Sequence, residues 1–268
     1  MFIDKVISRA NQINSRLCIG LDPHYKIITK QLGFSSVFKF NQAIVDATYD
    51  LALCYKPQIA HYSACSLEKD LEQTIEYIHN KDDNLTVILD AKRGDIGSTA
   101  EYYAREAFSR FNADATTVNP YLGAESIKPF LSDPTKGVIA LIRTSNPSSA
   151  DIQCQLIGHE PLYQYIAKLL IKETADNPNL LFVMGATDTE AIQRIRSDFL
   201  NHWFLVPGIG AQGGSLTDTI KAGGTNLIIN ATRSVIYPQW DGKGDYFEQV
   251  RNAATKLHQQ INSLISRS

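Results

Sequence analysis

Eight short apolar runs, most of them followed by a segment of helical periodicity, recur along the 268 residues of this chain. That rhythm restricts the fold to architectures built on a parallel sheet. The runs fall near 17–22, 52–57, 85–90, 114–118, 137–143, 180–184, 203–206 and 225–231. Amphipathic segments lie at 66–75, 101–111, 161–175 and 187–195, and a last one closes the chain at 246–265. Eight repeats within about 250 residues predict an α/β fold, a single-domain (β/α)8 TIM barrel, with an open doubly wound sheet as the competitor. A hydrophobic content of 44% can fill such a core, and no linker or low-complexity stretch divides residues 1–268 into two domains.

The ends of these runs carry charge. Leu85-Thr86-Val87-Ile88-Leu89 leads directly into Asp90-Ala91-Lys92-Arg93-Gly94-Asp95-Ile96. Strand alternation points Asp90 and Lys92 the same way, while Asp95 falls on the turn into a helix beginning near Ser98. Alone, an acid two residues before a lysine reads as a surface ion pair of little consequence. Here the pattern recurs, because the run at 17–22 ends in Asp22 and the run at 51–56 ends in Lys56. In a barrel, neighbouring strands lie ~4.8 Å apart and deliver their ends to one catalytic face, so Asp22, Lys56, Asp90 and Lys92 should meet. Four charges in a partly dry mouth are costly unless they hold one another, and such preorganised electrostatics is a major source of catalytic power.

A second loaded segment, Val206-Pro207-Gly208-Ile209-Gly210-Ala211-Gln212-Gly213-Gly214-Ser215, follows the seventh run. It contains G-x-G-x-x-G, but a dinucleotide site needs a ribose-binding acid about 20 residues later. That place holds Asn230-Ala231-Thr232-Arg233, and too little chain remains for a second nucleotide half. Glycines after strand seven coupled with Arg233 after strand eight instead fit the phosphate site of barrels. Either feature alone would read as a turn or a surface arginine.

The balance of 26 basic and 28 acidic residues, with no basic block, argues against nucleic acid or an anionic membrane surface as partner. No run approaches the ~18 apolar residues of a membrane span, and Met1-Phe2-Ile3-Asp4-Lys5 lacks an apolar signal core, so a soluble cytoplasmic protein is expected. Cys18, Cys54, Cys65 and Cys154 have no metal or disulfide spacing and should be reduced thiols. The six histidines form no H-x-H or H-E-x-x-H arrangement, and no metal is expected.

Taken in order, Ile19-Gly20-Leu21-Asp22-Pro23, the segment from Asp90 to Ile96, Arg143-Thr144-Ser145-Asn146-Pro147, the glycine loop and Asn230-Ala231-Thr232-Arg233-Ser234 resemble the orotidine 5'-phosphate decarboxylases, in their longer bacterial subgroup. The D-x-K-x-x-D core is shared with related sugar-phosphate barrels; the serine and glutamine loops sharpen the match. The resemblance implies decarboxylation of a nucleotide to uridine 5'-phosphate in pyrimidine synthesis, without metal or cofactor. It further implies that Lys92 protonates C6 and that Asp90 lies beside the substrate carboxylate. Asp95 would reach across a homodimer interface into the partner's site, and Asp22 and Lys56 would hold the ribose and complete the charge chain. Ser145 would bond the pyrimidine, and Gln212 and Arg233 would clamp the phosphate with Thr99 nearby. Thr232 stands where this subgroup more often has serine. Two rivals stay open: a sugar-phosphate synthase or aldolase using a lysine Schiff base or a metal at Asp90, and a catalytically silent nucleotide-binding protein.

Overall fold

The structure, a computed structural model, describes residues 1–210 and 213–266. Eight parallel strands close on themselves: β1 (Leu17–Leu21), β2 (Cys54–Pro57), β3 (Thr86–Arg93), β4 (Ala115–Val118), β5 (Gly137–Arg143), β6 (Leu180–Met184), β7 (Phe204–Val206) and β8 (Leu227–Ala231). Each pairs with its sequence neighbour, and β8 returns to β1 through Leu17↔Ile229, Cys18↔Asn230 and Ile19↔Ala231. Closure leaves no sheet edge, and the strands are buried almost throughout because helices cover the outside.

Side-chain alternation divides the core in two. Leu17, Ile19 and Leu21 belong to a large cluster with Phe40, Ile44, Leu71 and Ile75 from the surrounding helices. Cys18, Cys54, Ile88, Ile139, Leu181, Leu205 and Ile228 form a second cluster. The helix Phe2–Gln12 contributes Phe2, Ile3, Val6 and Ala10 to that same cluster and so plugs the barrel. Its spacing is amphipathic, but it stands before the first strand and outside the strand–helix repeat. Phe2 lies against β5: a Cβ at Gly137 would come within 2.3 Å of its ring, so only glycine fits there. The plug is pinned by Ile3 N donating to Asn179 Oδ1 at 3.1 Å. The buried Arg9 adds bonds to Asp82 at 2.7 Å, to Tyr49 O at 2.6 Å and to Ala52 O at 3.0 Å.

The expected strand boundaries hold within two residues with one exception, which is informative. β3 runs on to Arg93, three residues past the expected end, for a reason found in its pairing with β4. Between β5 and the helix Leu162–Glu173, a two-stranded antiparallel hairpin, Leu156–Ile157 with Glu160–Pro161, interrupts the simple alternation. Among the described residues no helix is long and apolar enough to cross a membrane.

Candidate active site

The ladder between β3 and β4 slips. Leu89 is level with Thr116 and Arg93 with Val118, so Asp90, Ala91 and Lys92 bulge opposite Thr117. Lys92 takes a φ of +48°, a left-handed conformation that costs a non-glycine residue of order 1–3 kcal/mol. Plain alternation would set Asp90 and Lys92 one pleat apart on a common face. The bulge does more, folding Lys92 Nζ back to 2.6 Å from Asp90 Oδ1.

From β2, Lys56 Nζ reaches Asp90 Oδ2, also at 2.6 Å, and Thr117 donates a third bond to Oδ1 at 2.9 Å. Burial opposes ionisation of Asp90, but the two ammonium groups outweigh it and hold the carboxyl well below the usual carboxylate range. Burial likewise opposes the charge on Lys56, yet Asp90 and then Asp22 drive it above the ordinary lysine value. Both groups are therefore ionised across the neutral range. The two lysines differ in freedom: the Lys56 side chain is 6% exposed and the Lys92 side chain 46%. Lys56 is a fixed charge, whereas Lys92 can leave Asp90 to meet a bound molecule.

Asp22 completes the row, just past the end of β1. Its Oδ1 is buried and has no hydrogen-bond partner among the described residues. An orphaned carboxylate oxygen is costly, about 1–3 kcal/mol or more, and Asp22 lines the cavity, where this oxygen can accept from a donor such as a hydroxyl.

These charges lie at one side of a cavity of about 880 Å³ at the C-terminal mouth of the barrel. Ser145, Gly208, Ile209, Thr232 and Arg233 line the remainder. The Ser145 loop is braced from below. Gln153 accepts from Thr144 N and donates to Thr144 Oγ1, both at 2.9 Å, and Arg143 binds Asp188 at 2.9 Å. The glycine loop folds on its own backbone, Gly214 N donating to Gly208 O at 3.2 Å and Gly210 N to Gly214 O at 3.1 Å. Thr232 packs so closely on β1 that a Cβ at Gly20 would sit 1.9 Å from its hydroxyl, and Arg233 follows it in the chain at the mouth.

Of the residues singled out in the sequence, Asp22, Lys56, Asp90, Lys92, Ser145 and Arg233 converge on this cavity. Asp95 and Thr99 do not line it within one chain. Asp95 bonds the Ile96 amide at 2.8 Å, and Thr99 is exposed on the helix Gly97–Arg105. Gln212 lies outside the described residues. Thr117, Gln153, Asn230, His61 and Tyr237 also line the cavity and were not anticipated. Burial pushes the Tyr237 hydroxyl up to about 12, so it stays neutral while accepting from His24 N at 2.6 Å. Thr117 and Asn230 could have been flagged as polar positions inside apolar strands; His61 sits in the short helix Ile59–Ser63 and Tyr237 just past the helix Arg233–Ile236, and neither carried such a signal.

Both the sequence and the fold have known relatives. A sequence model described as the orotidine 5'-phosphate decarboxylase / HUMPS family matches residues 15–238. The orotidine 5'-phosphate decarboxylase of Cellvibrio japonicus is 48% identical over 273 residues, covering 97% of this chain and 98% of the relative. That of Dechloromonas aromatica is 46% identical with the same coverage. Among solved structures, Leishmania donovani OMP decarboxylase superposes with a TM-score of 0.86 at 34% identity, covering 99% of both chains. A putative orotidine-monophosphate-decarboxylase from Toxoplasma gondii gives 0.88 at 32% identity, covering 98% of this chain and 96% of the other. This chain therefore belongs to the orotidine 5'-phosphate decarboxylase / HUMPS family.

Proposed function

We propose that this protein decarboxylates orotidine 5'-phosphate to uridine 5'-phosphate, with Lys92 as the proton donor and with neither metal nor organic cofactor. The observation that carries the reading is the row of alternating charges, Asp22, Lys56, Asp90 and Lys92, at the mouth of one cavity. In the reaction the bond from C6 to the carboxylate breaks, carbon dioxide leaves, and the electron pair stays on C6. The Lys92 ammonium faces that pair and transfers a proton to it. Asp90 lies beside the departing carboxylate, where repulsion is felt by the substrate and fades as charge moves toward Lys92. Only interactions that differ between ground and transition states accelerate the step. Lys56 stays charged and keeps Asp90 ionised throughout.

Asp22 Oδ1 is suited to a ribose hydroxyl, Ser145 to the pyrimidine, and Arg233 with Gln212 to the phosphate, two of whose oxygens a planar guanidinium fork can bind at once. Remote phosphate contacts supply binding energy that closing the glycine loop can use to exclude water. The protein acts as a homodimer in this reading, Asp95 and Thr99 serving the partner's site. Support for that comes from exposed apolar side chains on the segments that follow β3 and β4, Ile96 at 49%, Tyr102 at 65%, Tyr121 at 76% and Leu122 at 47%, which one chain leaves uncovered.

Both Asp90 oxygens are already held by ammonium groups, which disfavours the metal-dependent rival, and the charge row is a costly thing for a silent binder to keep. Mixing the protein with orotidine 5'-phosphate in the presence of a chelator should shift the ultraviolet absorbance from that of the substrate to that of the product, and Lys92→Ala should not turn over. Trapping of a lysine adduct by borohydride, or turnover that survives Lys92→Ala, would overturn the assignment.

A further inference from the structure

Thr117 stands alone opposite the three bulged residues of β3 and is 1% exposed. A slipped ladder leaves amides without carbonyl partners, and buried amides need acceptors. The Thr117 hydroxyl serves two of them: Ala91 N donates to Oγ1 at 3.0 Å and Lys92 N at 2.9 Å. The same oxygen sits 2.9 Å from Asp90 Oδ1. A hydroxyl has two lone pairs and one proton. With both lone pairs accepting, its proton goes to Asp90, and all its capacity is spent on the segment 90–92. Although Thr117 lines the cavity, nothing is left on its hydroxyl for a bound molecule.

That valence count separates Thr117 from the substrate-facing groups around it. Lys92 has a half-exposed side chain on a left-handed backbone that an L-residue abandons unless held. Its aim at Asp90 is a property of the bulge, and one side chain closes the bulge. We propose that Thr117 is a positioning residue for the decarboxylation: it locks the 90–92 bulge so that the proton-delivering lysine and its carboxylate partner keep their geometry while substrate binds. This inference rests on the function proposed above.

Thr117→Val keeps the shape and deletes all three bonds, whereas Thr117→Ser keeps the hydroxyl. The T117V protein should lose about tenfold or more in kcat, with KM and the affinity for uridine 5'-phosphate changing less than about threefold, since each factor of ten is 1.36 kcal/mol of barrel-held alignment lost from the transition state. T117S should recover kcat to within about threefold of the parent. An unchanged kcat in T117V, or equal losses in T117V and T117S, overturns the proposal. Crystal structures of parent and T117V give a second readout: residue 92 should leave positive φ and the Lys92–Asp90 contact should open, and an unmoved backbone contradicts the role. Should T117V not fold, T117A goes through the same measurements. A parent inactive on orotidine 5'-phosphate refutes the proposed function, and the crystal comparison still decides what Thr117 holds.

Discussion

Asp90→Asn preserves the shape of the carboxylate but removes the charge shared by two lysines. The lysines cannot respond alike. Lys92, with a side chain 46% exposed, can turn its ammonium to water, whereas Lys56, at 6%, cannot. Lys56 loses its 2.6 Å ion pair and is left with Asp22 as a charged neighbour to which it makes no hydrogen bond among the described residues. Removing one partner of a buried pair costs about 3–5 kcal/mol, because the remaining charge stays desolvated. For a chain of this length the unfolding entropy is roughly 0.55 kcal/mol per kelvin, so the melting temperature should fall by about 5–9 °C. The cause is the stranded ammonium, so adding Lys56→Met to Asp90→Asn should restore at least half the loss, since replacing both partners is often close to neutral. Calorimetry of parent, D90N, K56M and the double variant without ligand provides the cycle. A D90N protein melting within about 2 °C of the parent, or a double variant whose losses simply add, would refute the reasoning.

Further outcomes are expected away from the charge row. Burial opposes ionisation of Asp114, but bonds from His79 and Val87 N, with the charge of Lys5, hold its carboxyl below the usual range. The stability it confers is fully present above the unfolded value of about 4 and is lost as pH falls through the lower folded value. Urea denaturation at pH 5 and pH 3 should therefore show a smaller loss for D114N than for the parent, and equal losses would contradict this linkage. Gly20→Ala would place a Cβ 1.9 Å from the Thr232 hydroxyl, and overpacking of this kind costs about 1–3 kcal/mol. G20A should also weaken binding of uridine 5'-phosphate through Arg233, and Thr232→Ala in the same chain, which removes the hydroxyl but keeps a Cβ at 2.9 Å, should relieve part of both effects; a G20A protein of unaltered stability and affinity would show that the contact is not constraining.

Much of the barrel was legible because most of its strands are buried throughout and so appear as apolar runs, Leu180 to Met184 being the plainest. Charge at strand ends was legible for the same reason, since an acid or lysine after such a run has only the mouth to occupy. The bulge was not. Register is a property of two strands together, and neither the positive φ of Lys92 nor the place of Thr117 is written in β3 alone. The plugging helix was readable in principle, because Phe2, Ile3, Val6 and Ala10 fall on one helical face, but its partner inside the barrel is a tertiary choice. The absence of Asp95 and Thr99 from the cavity of one chain follows from the turn into the helix Gly97–Arg105, which carries them to an outer face.

The proposed reaction requires the charge row to surround the carbon that loses carbon dioxide. A crystal structure with uridine 5'-phosphate bound tests this directly. It should place Lys92 Nζ within about 3–4 Å of C6, with a ribose hydroxyl on Asp22 and the phosphate on Arg233. A nucleobase seated away from Lys92, with that ammonium still closed on Asp90, would contradict it.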